Sequence, residues 1–340
     1  MDITQLIINV GILFVMMLPG IILKKCKMVG DGFGKGISNL VLYIAQPALI
    51  VCAYLDCALG FSSIWRNVLW VLLFSVLAHL IFAVVAFFCF GRVPEGRQKM
   101  LRFATIFSNA AFMGIPLIQS ICGSEAAIYA SVYNITFNLF LWTLGVYLCT
   151  RKKGMDHDGD GDSDQVDELI GLHKTAKKEI SLGKVLLHPV TLASILGMLC
   201  LVLGWNRHTL SVGFLWDCLS MLKGLVAPLS MVVIGLRITD IVWKGSQKDG
   251  PMYLFLALRH LILPLTILIL LKGVELTGIA IPLVVKDVIM IMAATPAASS
   301  ATMFAEKYNC DAAYVSRLVV VSTVLCIATM PLMIELCHRI

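Results

Sequence analysis

Charged residues are scarce in this chain. Only 14% of its 340 residues are Asp, Glu, Lys or Arg, whereas 59% are hydrophobic, and the mean hydropathy is +0.89. Apolar runs of about 20 residues, the length that crosses a bilayer, recur along the chain with short polar breaks between them. This composition excludes a soluble domain and indicates a polytopic membrane protein.

Motifs of several other classes are also missing. None of the eleven cysteines forms a CxxC pair, and most lie inside apolar runs, which is typical of small core hydrophobes rather than disulfides or zinc ligands. No HExxH sequence and no nucleophile elbow occurs, so we predict no enzyme, no metal site and no cofactor. The net charge of +6 collects beside helix ends, which argues against nucleic acid as a partner.

Ten apolar segments can be counted, and we expect each to cross the membrane. They divide into a first five-helix repeat at 1–150, a polar cytoplasmic linker at 151–187 and a second five-helix repeat at 188–340. The first segment follows Asp2 and has no basic residues ahead of it, which favours a retained helix over a cleaved signal. The segments are 4–23, 37–54, 68–90, 103–122, 126–149, 189–205, 214–236, 251–271, 281–304 and 313–336.

Lysine and arginine set the expected orientation. Twenty of them fall on the face that carries the 151–187 linker, and four fall on the face that carries the termini. Positive residues favour the cytoplasm, so we expect the linker inside and both termini outside, in an integral protein of the plasma membrane.

Two segments contain residues that interrupt membrane helices. The stretch 107–121 holds Asn109, Gly114 and Pro116, and 289–304 surrounds Pro296 with small and polar residues. Proline removes a backbone donor and frees a carbonyl, which hydrocarbon tolerates only beside protein or a water-lined cavity. We therefore predict that the fourth segment breaks at Pro116 and the ninth at Pro296. A packing kink is the alternative.

The two halves repeat weakly. Pro47 and Pro116 are 69 positions apart, and Pro228 and Pro296 are 68 apart. Five spans per half force the second half to lie upside down relative to the first. Inverted repeats with broken helices at the midplane are a recurrent plan of secondary transporters.

The residues at the two interruptions resemble the auxin efflux carrier family, which includes the plant PIN auxin exporters and many bacterial homologues. The resemblance rests on the string Asn109-Ala-Ala-Phe-Met-Gly-Ile-Pro-Leu117, and on Pro296 followed by Phe304-Ala-Glu-Lys-Tyr-Asn309. Supporting features are Ala227-Pro-Leu-Ser, Gly235, Arg259 ahead of Pro264, Ser322-Thr-Val and Pro331.

This resemblance implies an all-α fold like that of bile-acid sodium symporters. It has ten transmembrane helices in two inverted five-helix repeats, broken and crossing helices 4 and 9, and a transport domain that moves against a scaffold domain. In the family an asparagine ahead of Gly-x-Pro helps to hold an organic anion, and Asn109 matches it. Asn138 resembles a polar residue of the fifth helix.

Half-helix amino termini carry unpaired amides and a partial positive charge, which suits a carboxylate. We therefore expect a substrate site near both interruptions, and interhelical hydrogen bonding is the alternative role for its amides. His79 could relay protons or make a polar contact inside the bundle. The expected site residues are Asn109, Gly114, Pro116, Tyr133, Asn134, Asn138, Thr295, Pro296 and Ala297.

The function that these features favour is secondary transport of small organic anions, such as auxin-like weak acids or carboxylates, by alternating access. A ligand sensor that uses the same fold without flux is the alternative. The expected partners are the organic anion and the lipid bilayer, with Na⁺ or H⁺ as an open choice of coupling ion and a homodimer as an option. The acidic stretch 156–167 partly fits a calcium loop but is read as a solvated linker.

Overall fold

A computed structural model describes residues 3–30, 32–57, 60–150, 183, 186–207, 213–239 and 249–339. Helices account for nearly all of these residues, and the described part contains no strand beyond one isolated antiparallel bridge. The acidic stretch 156–167 lies outside the described residues. The helices are α1 (Ile3–Val15), α2 (Leu18–Lys25), α3 (Phe33–Leu40), α4 (Gln46–Leu55), α5 (Phe61–Cys89), α6 (Glu95–Ile106), α7 (Ile115–Phe140), α8 (Val146–Thr150), α9 (Pro189–Val202), α10 (Gly213–Gly224), α11 (Val226–Ile238), α12 (Gly250–Ala257), α13 (Leu263–Leu276), α14 (Leu283–Ala294), α15 (Ser300–Lys307) and α16 (Ala312–Arg339).

Seven helical segments are long and apolar enough to cross a membrane, and α9 is a shorter apolar helix. The longest of the seven covers 41 residues, 110–150. Its helical backbone is interrupted at Gly123, where φ is +82° and ψ is −169°. A positive φ of this kind favours glycine, so the segment comprises two helices joined at this residue. The all-helical membrane class expected from the sequence is thereby confirmed.

The helices pack into two groups. In the first body, α4 packs on α9 and α10, and α2 and α3 pack on α11. In the second body, α5 packs on α6, α7 and α14, while α16 packs on α6, α14 and α15. The first helix, α1, contacts α11 of the first body and α7 and α16 of the second. The two bodies meet mainly where α7 packs on α4 and α9, and where α11 packs on residues 110–114.

Four five-residue π-turns widen these helices. They are π1 (Val41–Ala45), π2 (Ala110–Gly114), π3 (Leu141–Gly145) and π4 (Leu258–Ile262). Three of the four end two residues before a proline, namely Pro47, Pro116 and Pro264. A proline ring clashes with the carbonyl four residues earlier, and the wider π-turn removes that carbonyl from the ring. Helices therefore continue through these prolines.

Candidate functional site

Two extended stretches cross in the second body. The first, residues 107–109, joins α6 to π2, and the second, residues 295–299, joins α14 to α15. They pair antiparallel through a bridge between Ser108 and Ala297. The amide of Asn109 donates to the carbonyl of Pro296 at 2.8 Å, and the amide of Ala298 donates to the carbonyl of Phe107 at 2.9 Å. The helical path is therefore broken twice, once between α6 and π2 and once between α14 and α15. Backbone groups at each break are satisfied by hydrogen bonds from the other.

The position of the first break corrects the sequence-based prediction. Pro116 does not lie in a break but in the first turn of α7, directly after π2. The chain is extended nine residues earlier, where Phe107 has φ −96° and ψ +116°. The second break was predicted correctly, because Pro296 lies inside 295–299. The prediction at Pro116 was wrong because a π-turn accommodates the ring and leaves the helix intact.

Gln46 replaces the donor that Pro116 lacks. The amide of Ile115 donates to the carbonyl of Ala110 in the π-turn register, so the next amide in that register would donate to Ala111. Residue 116 is proline and has no N–H. The side-chain amide of Gln46, which is fully buried at the start of α4, donates to the Ala111 carbonyl instead. A carbonyl freed at membrane depth is thus satisfied from the other body, as such depth requires.

Arg259 is the only fully buried arginine among the described residues, and it lies in π4. Its Nε and Nη2 donate to the carbonyl of Thr295 at 3.0 and 2.7 Å, and Nη2 also donates to the carbonyl of Ala293 at 3.2 Å. Its Nη1 donates to the carbonyl of Thr105 at 3.3 Å. One guanidinium therefore binds the carboxyl ends of both α14 and α6, where the helix dipoles are negative.

The amino end of π2, which follows the first break, carries a side-chain donor without a partner. Asn109 precedes π2, its side chain is 2% exposed, and its Nδ2 has no hydrogen-bond partner. Gly114 lies against the opposite stretch, since a Cβ there would be 2.6 Å from Met292 Sδ and 3.6 Å from Thr295 Cγ2. The crossing thus brings together five of the residues expected at the site, namely Asn109, Gly114, Thr295, Pro296 and Ala297.

The other predicted site residues lie on α7. Tyr133, Asn134 and Asn138 are all at most 5% exposed, and the Oδ1 of Asn134 has no hydrogen-bond partner. The ring of Tyr133 lies 5.6 Å from that of His79 between centroids. Asn134 and Asn138 share one helical face with Ser131, whose hydroxyl is 3.4 Å from that of Tyr54 on α4. This face therefore points toward the seam between the two bodies.

Comparison with known proteins agrees with this architecture. The family model described as membrane transport protein, that of the auxin efflux carriers, matches residues 5–334. The chain belongs to this family. It is also similar to an uncharacterized transporter of Methanothermobacter thermautotrophicus, with 24% identity over 324 residues that make up 94% of each chain. The matched residues include both crossing stretches and every helix from α2 to α15. Membership of this family identifies the protein as a membrane transporter.

In this transporter, the crossing also takes part in a series of hydrogen bonds with α16 that was not predicted from the sequence. The amide of Ala297 donates to the hydroxyl of Ser322 on α16 at 3.0 Å. Ser322 lies 2.9 Å from Nε2 of His260, and Nδ1 of that ring lies 3.0 Å from the Thr329 hydroxyl. A histidine beside an arginine inside an apolar segment was the available signal, because buried ionisable residues are functional candidates.

His79 makes a polar contact inside the bundle. Its Nδ1 lies 2.7 Å from the carbonyl of Ser75 one turn earlier on α5, and its ring stacks on Phe140 at 5.0 Å. Phe107, Tyr133 and Phe137 surround the remaining faces of the ring. Three of these four neighbours are phenylalanines, which carry no proton to exchange, so these contacts favour the polar-contact interpretation over the relay.

Proposed function

We propose that the protein is a secondary transporter of small organic anions, and that the anion binds at the crossing of residues 107–109 and 295–299. The observation that carries this proposal is the fully buried guanidinium of Arg259 on the carboxyl ends of α6 and α14. It supports an anion for the electrostatic reason that follows.

Broken helices place four helix ends at one point. The two carboxyl ends attract cations, and the two amino ends attract anions. Arg259 already supplies the cation through four donor contacts to backbone carbonyls. What is left unmatched is the positive character of the amino ends of π2 and α15, together with the unpaired Nδ2 of Asn109. A carboxylate satisfies both.

The same crossing supports ten membrane segments in two inverted repeats of five. The described helices group into ten segments when α6 is joined to the part of α7 before Gly123, and α14 is joined to α15. The fourth and ninth segments are then the broken ones, and they pair antiparallel. Antiparallel pairing of equivalent segments is what an inverted repeat produces.

Alternating access would move the second body, which contains the crossing, against the first. The Asn134 and Asn138 face of α7 lies at that seam, so a substrate held there would be exposed first on one side and then on the other. In this proposal the first body is the scaffold, and the second carries the substrate.

The proposal is tested by flux into proteoliposomes that contain the purified protein, with a panel of radiolabelled carboxylates. Asn109→Ala should lower saturable flux at least tenfold because it removes the unpaired donor beside the amino end of π2. Asn67→Ala is the matched control, since the Asn67 amide bonds Tyr129 at 2.9 Å away from the crossing. Equal flux by Asn109→Ala and wild type would overturn the site. Binding of a carboxylate without flux would instead favour a sensor.

A further inference from the structure

Two side chains of the first body reach across the seam to the broken segments. Gln46 of α4 donates to the carbonyl of Ala111. Arg237, near the end of α11, donates from Nη1 to the carbonyl of Ser299 at 2.9 Å and also to the Thr302 hydroxyl. Both acceptor carbonyls belong to the first turn that follows a break, in π2 and at the start of α15. The same arrangement therefore occurs once at each break.

We propose that Gln46 and Arg237 are positioning residues that form two clasps between the bodies. Each clasp holds the first body on the helix start that follows a break, in the conformation described here, and each opens when the second body moves. The inference rests on the proposed function, because only a carrier whose bodies move relative to one another requires contacts that open.

The Gln46 clasp depends on a dry seam. The Ala111 carbonyl has no partner within its own π-turn register because residue 116 is proline. Away from water a carbonyl in this position needs Gln46, since an unsatisfied buried acceptor is costly. Once water enters the crossing, it can replace the Gln46 amide as donor. Hydration of the site therefore favours opening of this clasp.

The Arg237 clasp depends on charge. The Nη1 of the guanidinium donates to a carbonyl and a hydroxyl, which are both neutral acceptors. A carboxylate is the stronger acceptor for a guanidinium, because charge-assisted hydrogen bonds are roughly twice as strong as neutral ones. An anion that reaches Arg237 therefore competes with Ser299 and Thr302. Arrival of substrate weakens the contact that ties α11 to α15.

A purely structural role for Gln46 can be separated from the clasp. Gln46→Met removes the donor and leaves the Ala111 carbonyl unpaired, so both stability and the clasp are lost. Adding Pro116→Ala restores an N–H at position 116, which can donate within the helix. The double variant Gln46→Met/Pro116→Ala should therefore regain the thermal midpoint of wild type while the bodies stay unclasped.

The experiment measures the distance between the bodies by pulsed electron paramagnetic resonance in proteoliposomes. Spin probes on unnatural amino acids replace Lys35 on α3 and Arg92 between α5 and α6, both of which are exposed, and the native cysteines remain. Gln46→Met should lower the ratio of clasped to unclasped molecules about fivefold, the factor expected from one net hydrogen bond. Arg237→Ala removes two hydrogen bonds and should lower the ratio at least as much. Arg237→Lys should restore part of the loss. Thr143→Val is the control, because the Thr143 hydroxyl bonds only carbonyls of its own helix, those of Leu139 and Phe140.

The outcomes separate the clasps from the carrier itself. Two distances in wild type, with populations that shift on adding a carboxylate and shift further in both clasp variants, support the proposal. Two distances in wild type that neither clasp variant alters overturn the clasps but leave the carrier standing. A single distance in wild type that no carboxylate changes, with no flux, overturns the proposed function. Recovery of the clasped distance by Pro116→Ala would show that Gln46 has only a structural role.

Discussion

At the scale of single residues, the most consequential side chain is Arg259. A buried charge is normally costly unless hydrogen bonds satisfy it, and here its donors meet three carbonyls from two helices. The guanidinium also lies over the aromatic ring of Phe82, whose centroid is 5.4 Å from the guanidinium carbon. In the sequence this arginine stands out only as one of the features that support the family resemblance. Its role as a cap on two helix ends was not accessible, because the carbonyls lie 34 to 154 positions away.

Arg259→Met should lower both stability and flux. The variant leaves the carbonyls of Thr105, Ala293 and Thr295 without their donor, and each such group costs about 1 to 3 kcal/mol when it stays dry. Arg259→Lys should rescue only partly, because one ammonium group cannot reproduce the planar fork of the guanidinium. Thermal unfolding in detergent and proteoliposome flux measure the two effects. Arg339→Met, which removes an exposed pair with Glu335, is the control and should change neither. If Arg259→Met unfolded at the same temperature as wild type, the capping role would be contradicted.

Arg259 also bears on the coupling ion. The carbonyls of two helix carboxyl ends are ligands that would suit a Na⁺ ion, but the guanidinium already occupies them. We therefore expect carboxylate flux to stay within about twofold when N-methylglucamine replaces Na⁺ on both sides of the membrane, since no exchange of cations at those carbonyls is required. A loss of flux in proportion to the Na⁺ removed would show that a cation site lies elsewhere.

At the scale of elements, proline indicated the part of the sequence in which each helix is broken, but it did not indicate the exact position of the break. Pro116 and Pro296 each lie within eight residues of an extended stretch, but only Pro296 is part of one. Local sequence predicts that a proline disturbs the hydrogen-bond ladder. It does not predict whether a π-turn absorbs the disturbance, because that outcome depended on a donor from Gln46, 65 positions from Ala111. The pairing of the two breaks is likewise a long-range contact.

Close packing of α2 on α11 gives a prediction for the first body. A Cβ on Gly235 would lie 2.1 Å from the carbonyl oxygen of Met17, and one on Gly20 would lie 2.2 Å from that of Val232. Backbone atoms cannot move aside as a side chain can, so Gly235→Ala should destabilise the protein by about 2 kcal/mol or more. Gly36→Ala on α3 meets nothing within 4 Å and should be neutral or slightly stabilising. Thermal midpoints in detergent compare the two, and equal midpoints would contradict the close approach.

At the scale of the whole molecule, the proposed transport cycle requires that the two bodies move as units. Composition was sufficient to predict a membrane protein, and the residues around Pro116 and Pro296 marked the two regions that pair, whereas the crossing itself was expected only from the family resemblance. The grouping of helices into bodies was not predictable from local sequence, because it depends on which apolar faces meet. Apolar faces that contact lipid and those that contact protein carry the same residue types. Tyr54 and Ser131, in contact at 3.4 Å across the seam, look like ordinary buried polar residues in the sequence.

Cross-linking across this seam should stop transport. A dithiol-reactive reagent with a spacer about as long as a tyrosine side chain should join Tyr54→Cys to Ser131→Cys, with the exposed Cys26, Cys89 and Cys218 replaced. Because α4 and α7 belong to different bodies, the cross-linked protein should lose at least nine-tenths of its flux, and reduction should restore it. The matched control joins Asn67→Cys to Tyr129→Cys, a contact of 2.9 Å within the second body, and should transport normally. Full flux with the seam cross-linked would mean that these bodies do not move against each other, whatever the anion does at the crossing.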